Sequence, residues 1–266
     1  MTPAGLPMTP AGLVVVLVEP AGPLNVGSVA RLCANFGVAS LRLVNPRCNH
    51  LGSEARLMAV HGAAVLEQAR CFVNLEEALA DCRRVVATSG RCDGEPLPLL
   101  PPEQALAWLM APPQTGASPA STAPVALVFG REDRGLSNDE LLQAGRLLTL
   151  GTAEAYRSLN LSHAVAVVLH TLQGLRPSAD SLPGADSPNA PDQPCQRQEA
   201  EAMLKDAEAL LLDVGFLYPH TSHARMAKVR HLLQRAQVSS EEVALIRGMV
   251  RQLRWASAGR SRSQTP

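Results

Sequence analysis

The chain has 266 residues, 46% hydrophobic and 18% charged, enough to bury a sizeable core and long enough for one large domain with a small one beside it. Its 24 Lys/Arg balance 24 Asp/Glu, so overall charge gives no reason to expect a polyanionic partner, and any such case rests on where the charges sit. Cys33, Cys48, Cys71, Cys82, Cys92 and Cys195 form no C-x-x-C pair or zinc-type cluster, no secretory signal precedes them, and the apolar run Leu13 to Val18 is far short of the roughly 20 residues that span a bilayer. Together these point to a cytoplasmic protein with reduced thiols, no metal and no membrane segment.

In chain order, residues 1–12 carry a small duplication, Met1-Thr-Pro-Ala-Gly-Leu and Met8-Thr-Pro-Ala-Gly-Leu, whose Pro and Gly suit neither helix nor strand; they read as a disordered leader, with Met8 as an alternative start. From Leu13, short β-branched runs (Val14 to Val18, Leu41 to Val44, Arg84 to Ala87, Val125 to Phe129, Leu147 to Leu150) alternate with segments of helical spacing. That alternation predicts an α/β domain over residues 13–176, a parallel sheet with helices on both faces. Residues 111–124, rich in Pro, Ala, Ser and Thr, read as a flexible insertion, and the Pro-rich residues 177–197 as a linker.

Beyond the linker, residues 198–256 read as a small helical module. Glu199 to Val214 has amphipathic spacing and Gly215 to stop it, Ala224 to Ala236 gives a second helix, and Ser239-Ser-Glu-Glu242 is a capping box opening a third to Trp255. Residues 257–266 read as a disordered tail. From His220 to the end nine Lys/Arg face Glu241 and Glu242, a net +7. This is either an electrostatic footprint for nucleic acid or the solvated face of a helical pair.

Three loops at strand ends carry polar residues that the alternation does not need. Glu19-Pro-Ala-Gly-Pro-Leu-Asn25 breaks the first strand and opens a helix, with Asn25 as N-cap, Gly27 admitting a ligand or neighbouring backbone, and Arg31 near the carboxyl end of the sheet, where α/β sites form. The competing account is an ordinary strand-loop-helix with Arg31 in a surface ion pair. Gly130-Arg-Glu-Asp-Arg-Gly135 sets four charges between two glycines, either for a polar task or paired among themselves, and Ser137 or Asn138 starts the next helix. Ser158-Leu-Asn160 precedes a long apolar helix that either residue can cap. No G-x-G-x-x-G follows the first strand, and no P-loop, H-E-x-x-H or G-x-S-x-G occurs, which removes the main support for a dehydrogenase, a nucleotidase, a zincin or an α/β-hydrolase.

Taken in order, Asn25-x-Gly27-x-x-x-Arg31, Phe129-Gly-Arg-Glu-x-x-Gly-Leu136 and Ser158-Leu-Asn160 resemble the three motifs of the SpoU/TrmH branch of the SPOUT RNA 2′-O-methyltransferases. The likeness runs from about Leu13 to Leu175, and the linker with its helical module is similar to the TrmJ subgroup, which modifies tRNA at nucleotide 32. The resemblance implies a deep trefoil knot at the C-terminal end of the sheet, a homodimer with the site at the subunit interface, and S-adenosylmethionine as methyl donor. It implies cofactor contacts from Thr88, Ser89, Gly90, Phe129, Gly130, Leu150, Gly151, Arg157, Ser158 and Leu159. It implies catalytic roles for Arg31, Asn25, Glu132, Ser158 and Asn160; the residues themselves indicate no metal, since His220 and His223 stand without matching carboxylates or cysteines.

Arg31 and Arg131 at the site, with Arg225, Lys228 and Arg230 on the module, are the residues expected to touch RNA. Arg157 stands where relatives carry a small polar residue, and residues 151–155 lack the proline common there. Ribosomal RNA is the alternative substrate, and a catalytically silent RNA-binding protein or a structural α/β protein the alternative classes.

Overall fold

The computed structural model describes residues 12–90, 96–111, 123–175, 195–236 and 238–262. The expected leader, and most of the expected insertion and linker, lie outside them. Seven strands form one parallel sheet: β1 (Leu13–Val18), β2 (Ser40–Val44), β3 (Arg70–Phe72), β4 (Arg84–Thr88), β5 (Leu99–Leu100), β6 (Val125–Phe129) and β7 (Arg146–Leu148), in the order β3-β2-β1-β6-β4-β7-β5. The helices of this unit are α1 (Pro23–Asn35), α2 (Ser53–Ala59), α3 (Ala63–Glu67), α4 (Leu75–Leu79), α5 (Pro102–Met110), α6 (Asn138–Leu141) and α7 (Leu161–Gly174).

Every residue of β1 is buried, which is why its sequence, Leu-Val-Val-Val-Leu-Val, is unbroken by polar side chains. Strand alternation sends Leu13, Val15 and Leu17 into a core shared with Val26, Val29 and Ala30 of α1 and Val165, Val168 and Leu169 of α7. Val14, Val16 and Val18 go to the other face, against Ala78 and Leu79 of α4 and Leu141 of α6. Both faces are therefore covered, as expected.

β3 and β5, three and two residues long, are too short to show a period and are not among the expected strands. β7 enters between β4 and β5, two strands consecutive in the chain. The knot expected there depends on the β4–β5 connection, part of which, residues 91–95, lies outside the described residues.

A second compact unit holds α8 (Arg197–Asp213), α9 (Pro219–Ala236) and α10 (Ser240–Arg262) around Cys195, Met203, Leu204, Leu217, Met226 and Val243. α10 opens on the expected capping box, with Glu242 N–H donating to Ser239 Oγ (3.1 Å) and Ser239 N–H to Glu242 Oε2 (2.8 Å). The helix does not stop at Trp255: residues 257–262, expected to be disordered, continue it, with no proline to interrupt the backbone hydrogen bonds. Among the described residues no helix is long and apolar enough to cross a membrane, no group of three or more His, Cys, Asp or Glu is placed to hold a metal ion, and the five cysteines form no disulfide.

Candidate active site

The three loops meet beyond the carboxyl ends of β1, β6 and β7. α1 starts at Pro23, with Gly22 as its N-cap, so Asn25 is not the cap it was expected to be. Proline lacks the N–H that a first-turn residue leaves unpaired and has its φ preset for the helix, so the start lies three residues earlier than expected. The two N–H groups just ahead of the helix are met by a residue some 110 positions away: Gly22 N–H donates to Glu132 Oε1 (3.0 Å) and Ala21 N–H to Glu132 Oε2 (3.1 Å). Glu132 thus places a negative charge at the positive end of α1.

Asn25, released from capping, bridges. Its Nδ2 donates to Glu132 Oε1 (3.2 Å), and its Oδ1 accepts from Asn160 Nδ2 (3.0 Å). Asn160 is the N-cap of α7, its Oδ1 accepting from Ser162 N–H (2.9 Å), Ser162 Oγ (2.8 Å) and His163 N–H (3.4 Å). The capping account of Asn160 therefore holds together with the wider one, because the amide has a donor to spare. Burial pushes the Glu132 carboxyl up, but the N–H groups of Ala21 and Gly22 and the Asn25 amide outweigh it and hold the group below the usual range, ionised.

The loop carrying Glu132 is braced from behind. Gly135 has φ +69° and Arg131 pairs with it as an antiparallel bridge, while a Cβ on Gly130 would lie 2.3 Å from the Gly135 carbonyl carbon, so the turn admits only glycine there. Arg131 donates to Glu140 at 2.8 and 2.9 Å and to Glu19 Oε1 at 2.5 Å, with its side chain 10% exposed. Glu19, in the left-handed region just past β1, also accepts from Arg47. The Arg131 hydrogen bond, against the opposing effect of burial, brings the Glu19 carboxyl down to about 2. The charged loop is thus paired, but with residues outside itself. Arg131, expected at the RNA, spends its terminal N–H groups on this brace and is too enclosed to serve as an RNA contact. Glu19 and Glu140 were not singled out in the sequence.

A cavity of about 420 Å³ opens between these loops. Thr88, Ser89, Gly90, Phe129, Gly130, Leu150, Arg157, Ser158 and Leu159 line it, nine of the ten residues expected to hold a cofactor. The exception is Gly151: it is exposed, with nothing within 4 Å of the position a Cβ would take, because β7 ends at Leu148 and the chain has left the cavity by then. Leu136, Leu148, Leu161 and Ala164 complete an apolar wall that was not expected, although Leu161 and Ala164, three apart at the start of a predicted helix, were legible as one face. Arg157 pairs with Glu154 (3.3 Å), and its carbonyl accepts from Thr152 Oγ1 (3.0 Å), which closes the loop in place of the missing proline.

Arg31 is exposed on α1, outside the cavity lining, with no hydrogen-bond or ion-pair partner among the described residues, so the surface ion pair considered for it does not form. Of the module residues expected at RNA, Lys228 is exposed, and Arg225 is exposed with one N–H on the Phe216 carbonyl (3.1 Å). Arg230 instead makes a two-pronged pair with buried Glu201 (2.8 and 2.9 Å), a structural use that removes it from the candidates.

Residues 12–170 match the SpoU rRNA Methylase family, and residues 198–264 match the C-terminal domain of the tRNA methyltransferase TrmJ. The chain is 35% identical over 253 residues to the tRNA (cytidine/uridine-2'-O-)-methyltransferase TrmJ of Cronobacter sakazakii, covering 95% of this chain and 98% of the relative. It is 34% identical over 248 residues to that of Klebsiella pneumoniae, covering 92% and 98%. The crystal structure of TrmJ from Z. mobilis is similar with a TM-score of 0.76 at 30% identity, over 92% of this chain and 100% of that one.

Proposed function

This chain belongs to the SpoU rRNA methylase family, in its TrmJ branch, and we propose that it transfers a methyl group from S-adenosylmethionine to the ribose 2′-oxygen of a cytidine or uridine in tRNA, at nucleotide 32 of the anticodon loop. The observation that carries the reading is the hydrogen-bonded chain Glu132–Asn25–Asn160, which ties the three motifs together beside the cavity.

The cavity suits the cofactor: about 420 Å³, lined by five leucines from Leu136 to Leu161 and by glycine and polar residues of three loops. Thr88 to Gly90, Phe129, Gly130, Leu150 and Arg157 to Leu159 would hold it. When bound, S-adenosylmethionine supplies an electrophilic methyl group.

Arg31 is the cation for the substrate. A guanidinium with a pKa above about 12 is no base at neutral pH, so Arg31 stabilises negative charge developing on the 2′-oxygen and holds the adjacent phosphate, while the proton leaves to phosphate or water. Glu132 and Asn25 hold the loops in register, and Ser158, exposed at the cavity, shapes its edge. Since Arg31 does not line the cavity of its own chain, a homodimer in which each copy brings Arg31 to the other's cavity completes the site. The helical module recruits the RNA through Arg225, Lys228 and their neighbours, and the substrate implies a cytoplasmic location.

The test is transfer of labelled methyl to unmodified tRNA, followed by nuclease mapping of an alkali-resistant linkage. Arg31→Ala is expected to lower kcat roughly 10²- to 10³-fold, with S-adenosylmethionine affinity kept within about twofold. Label on ribosomal RNA alone would keep the reaction and overturn the substrate; label on neither, with cofactor bound, would overturn the activity.

A further inference from the structure

The chain is poor in aromatic residues, with four Phe, two Tyr and two Trp, yet two of these eight stand on one short turn of the helical module. α8 ends at Asp213, and Gly215, with φ +75°, turns the backbone out of the helix. The next three residues alternate. Leu217 is buried in the module's core, and its N–H donates to the Leu211 carbonyl (2.9 Å), while Phe216 is 63% and Tyr218 55% exposed. His220 stacks on Tyr218, ring centroids 5.9 Å apart at 22°. The Arg225 guanidinium holds the Phe216 carbonyl at 3.1 Å. The rings are thus presented by a backbone fixed on both sides, and leaving them largely exposed forgoes the burial that ordinarily stabilises an aromatic side chain.

The charge on α9 has one sign. After Asp213 no acidic residue occurs until Glu241, while Arg225, Lys228, Arg230 and Arg235 fall between them, and of these Arg230 is paired with Glu201 of α8. Arg225 and Lys228 are exposed on the helix that the turn opens. Fixed aromatic faces beside unbalanced cations match a chain of anionic phosphates carrying flat bases, a combination that protein surfaces lack.

We propose that the turn Phe216–His220 is a stacking platform for unpaired nucleotides of the RNA substrate, with Arg225 and Lys228 on the flanking phosphates. This rests on the reading of the helical module as the RNA-recruiting part. Stacking needs only a π-face and so adds affinity for a single-stranded loop without selecting its base, whereas the phosphate contacts add affinity that salt removes.

The experiment measures binding of the full-length protein to an unmodified tRNA transcript at several salt concentrations. The double variant Phe216→Leu/Tyr218→Leu keeps the apolar bulk and removes the rings; it is expected to weaken binding about tenfold or more with the salt slope unchanged. The variant Phe216→Tyr/Tyr218→Phe, which keeps both rings, is expected to bind like wild type. Lys228→Gln is expected to lower the slope of log affinity against log salt by about one. Unchanged affinity in the leucine variant, with Lys228→Gln weakened, overturns the platform and leaves the recruiting module standing. Unchanged affinity in both overturns the recruiting module itself. Weakened binding that accompanies a change of oligomeric state in sedimentation, or that is shared by the ring-preserving variant, makes the turn a protein contact and also overturns the proposal.

Discussion

Asn160 uses one amide for two purposes, and substitution separates them. Aspartate is as good an N-cap as asparagine but has no N–H for Asn25, so Asn160→Asp should melt within a few degrees of wild type while methyl transfer falls at least tenfold. Asn160→Ala should lose the same activity and about 1 kcal/mol of stability as well; equal activity in wild type and Asn160→Asp would show the bridge to be idle. Glu19 offers a test by pH. Its carboxyl lies at about 2 in the folded protein against an ordinary 4.5, so the unfolded chain takes up its proton first on acidification. The stability this adds is complete above about 4.5 and is lost as pH falls toward 2. Glu19→Gln should therefore cost roughly 2 kcal/mol at pH 7, and the gap to wild type in urea unfolding should narrow by more than half at pH 3. A gap independent of pH would mean that Arg131 does not depend on the charge. Arg31, Asn25, Glu132 and Asn160 were legible because each sits in a spaced motif. Glu19 was not, since its partner Arg131 is 112 residues away and nothing local marks the pair.

At the scale of elements, Gly27 shows which of two expected uses is realised. A Cβ there would lie 2.1 Å from the Ala55 carbonyl oxygen, so the glycine admits the backbone of α2 and not a ligand. Gly27→Ala must push α1 off α2 and should cost about 1–3 kcal/mol, a fall of about 2–4 °C in Tm for each kcal/mol, read by thermal unfolding. Gly151→Ala, at a position with open space around it, should leave Tm and S-adenosylmethionine affinity unchanged; a loss of cofactor affinity would return Gly151 to the site. The central strands were readable because burial on both faces forces an unbroken apolar run, as in β1 and β6. The two shortest strands were not, because two or three residues carry no period and are fixed by neighbours already in place. The start of α1 escapes a local reading for a related reason: its best cap by local chemistry is Asn25, but the helix starts after Gly22, and the carboxylate held at its entrance, Glu132, comes from another loop.

The whole molecule is neutral only as a sum. Residues 1–176 carry 13 Arg against 14 Asp and Glu, residues 177–219 carry two Lys/Arg against eight Asp and Glu, and the stretch from His220 onward is +7. A polyanion therefore meets almost no net attraction from the sheet unit, and long-range attraction depends on α9 and α10. Each unit also has its own core: the sheet unit's apolar residues on the two faces of β1, the module's around Met203, Leu204 and Met226. A chain ending at Arg176 should for that reason fold and keep its affinity for S-adenosylmethionine, since the whole lining of the cavity lies before that point. Its methylation of tRNA at low tRNA concentration should fall at least tenfold, and tRNA binding should lose most of its salt dependence, because few cations beyond Arg31 and Arg134 stay exposed near the loops. Isothermal titration with the cofactor and filter binding with tRNA at several salt concentrations read the two effects separately. Undiminished methylation would place tRNA recognition on the sheet unit despite its charge, and would leave the basic helices as a solvated face.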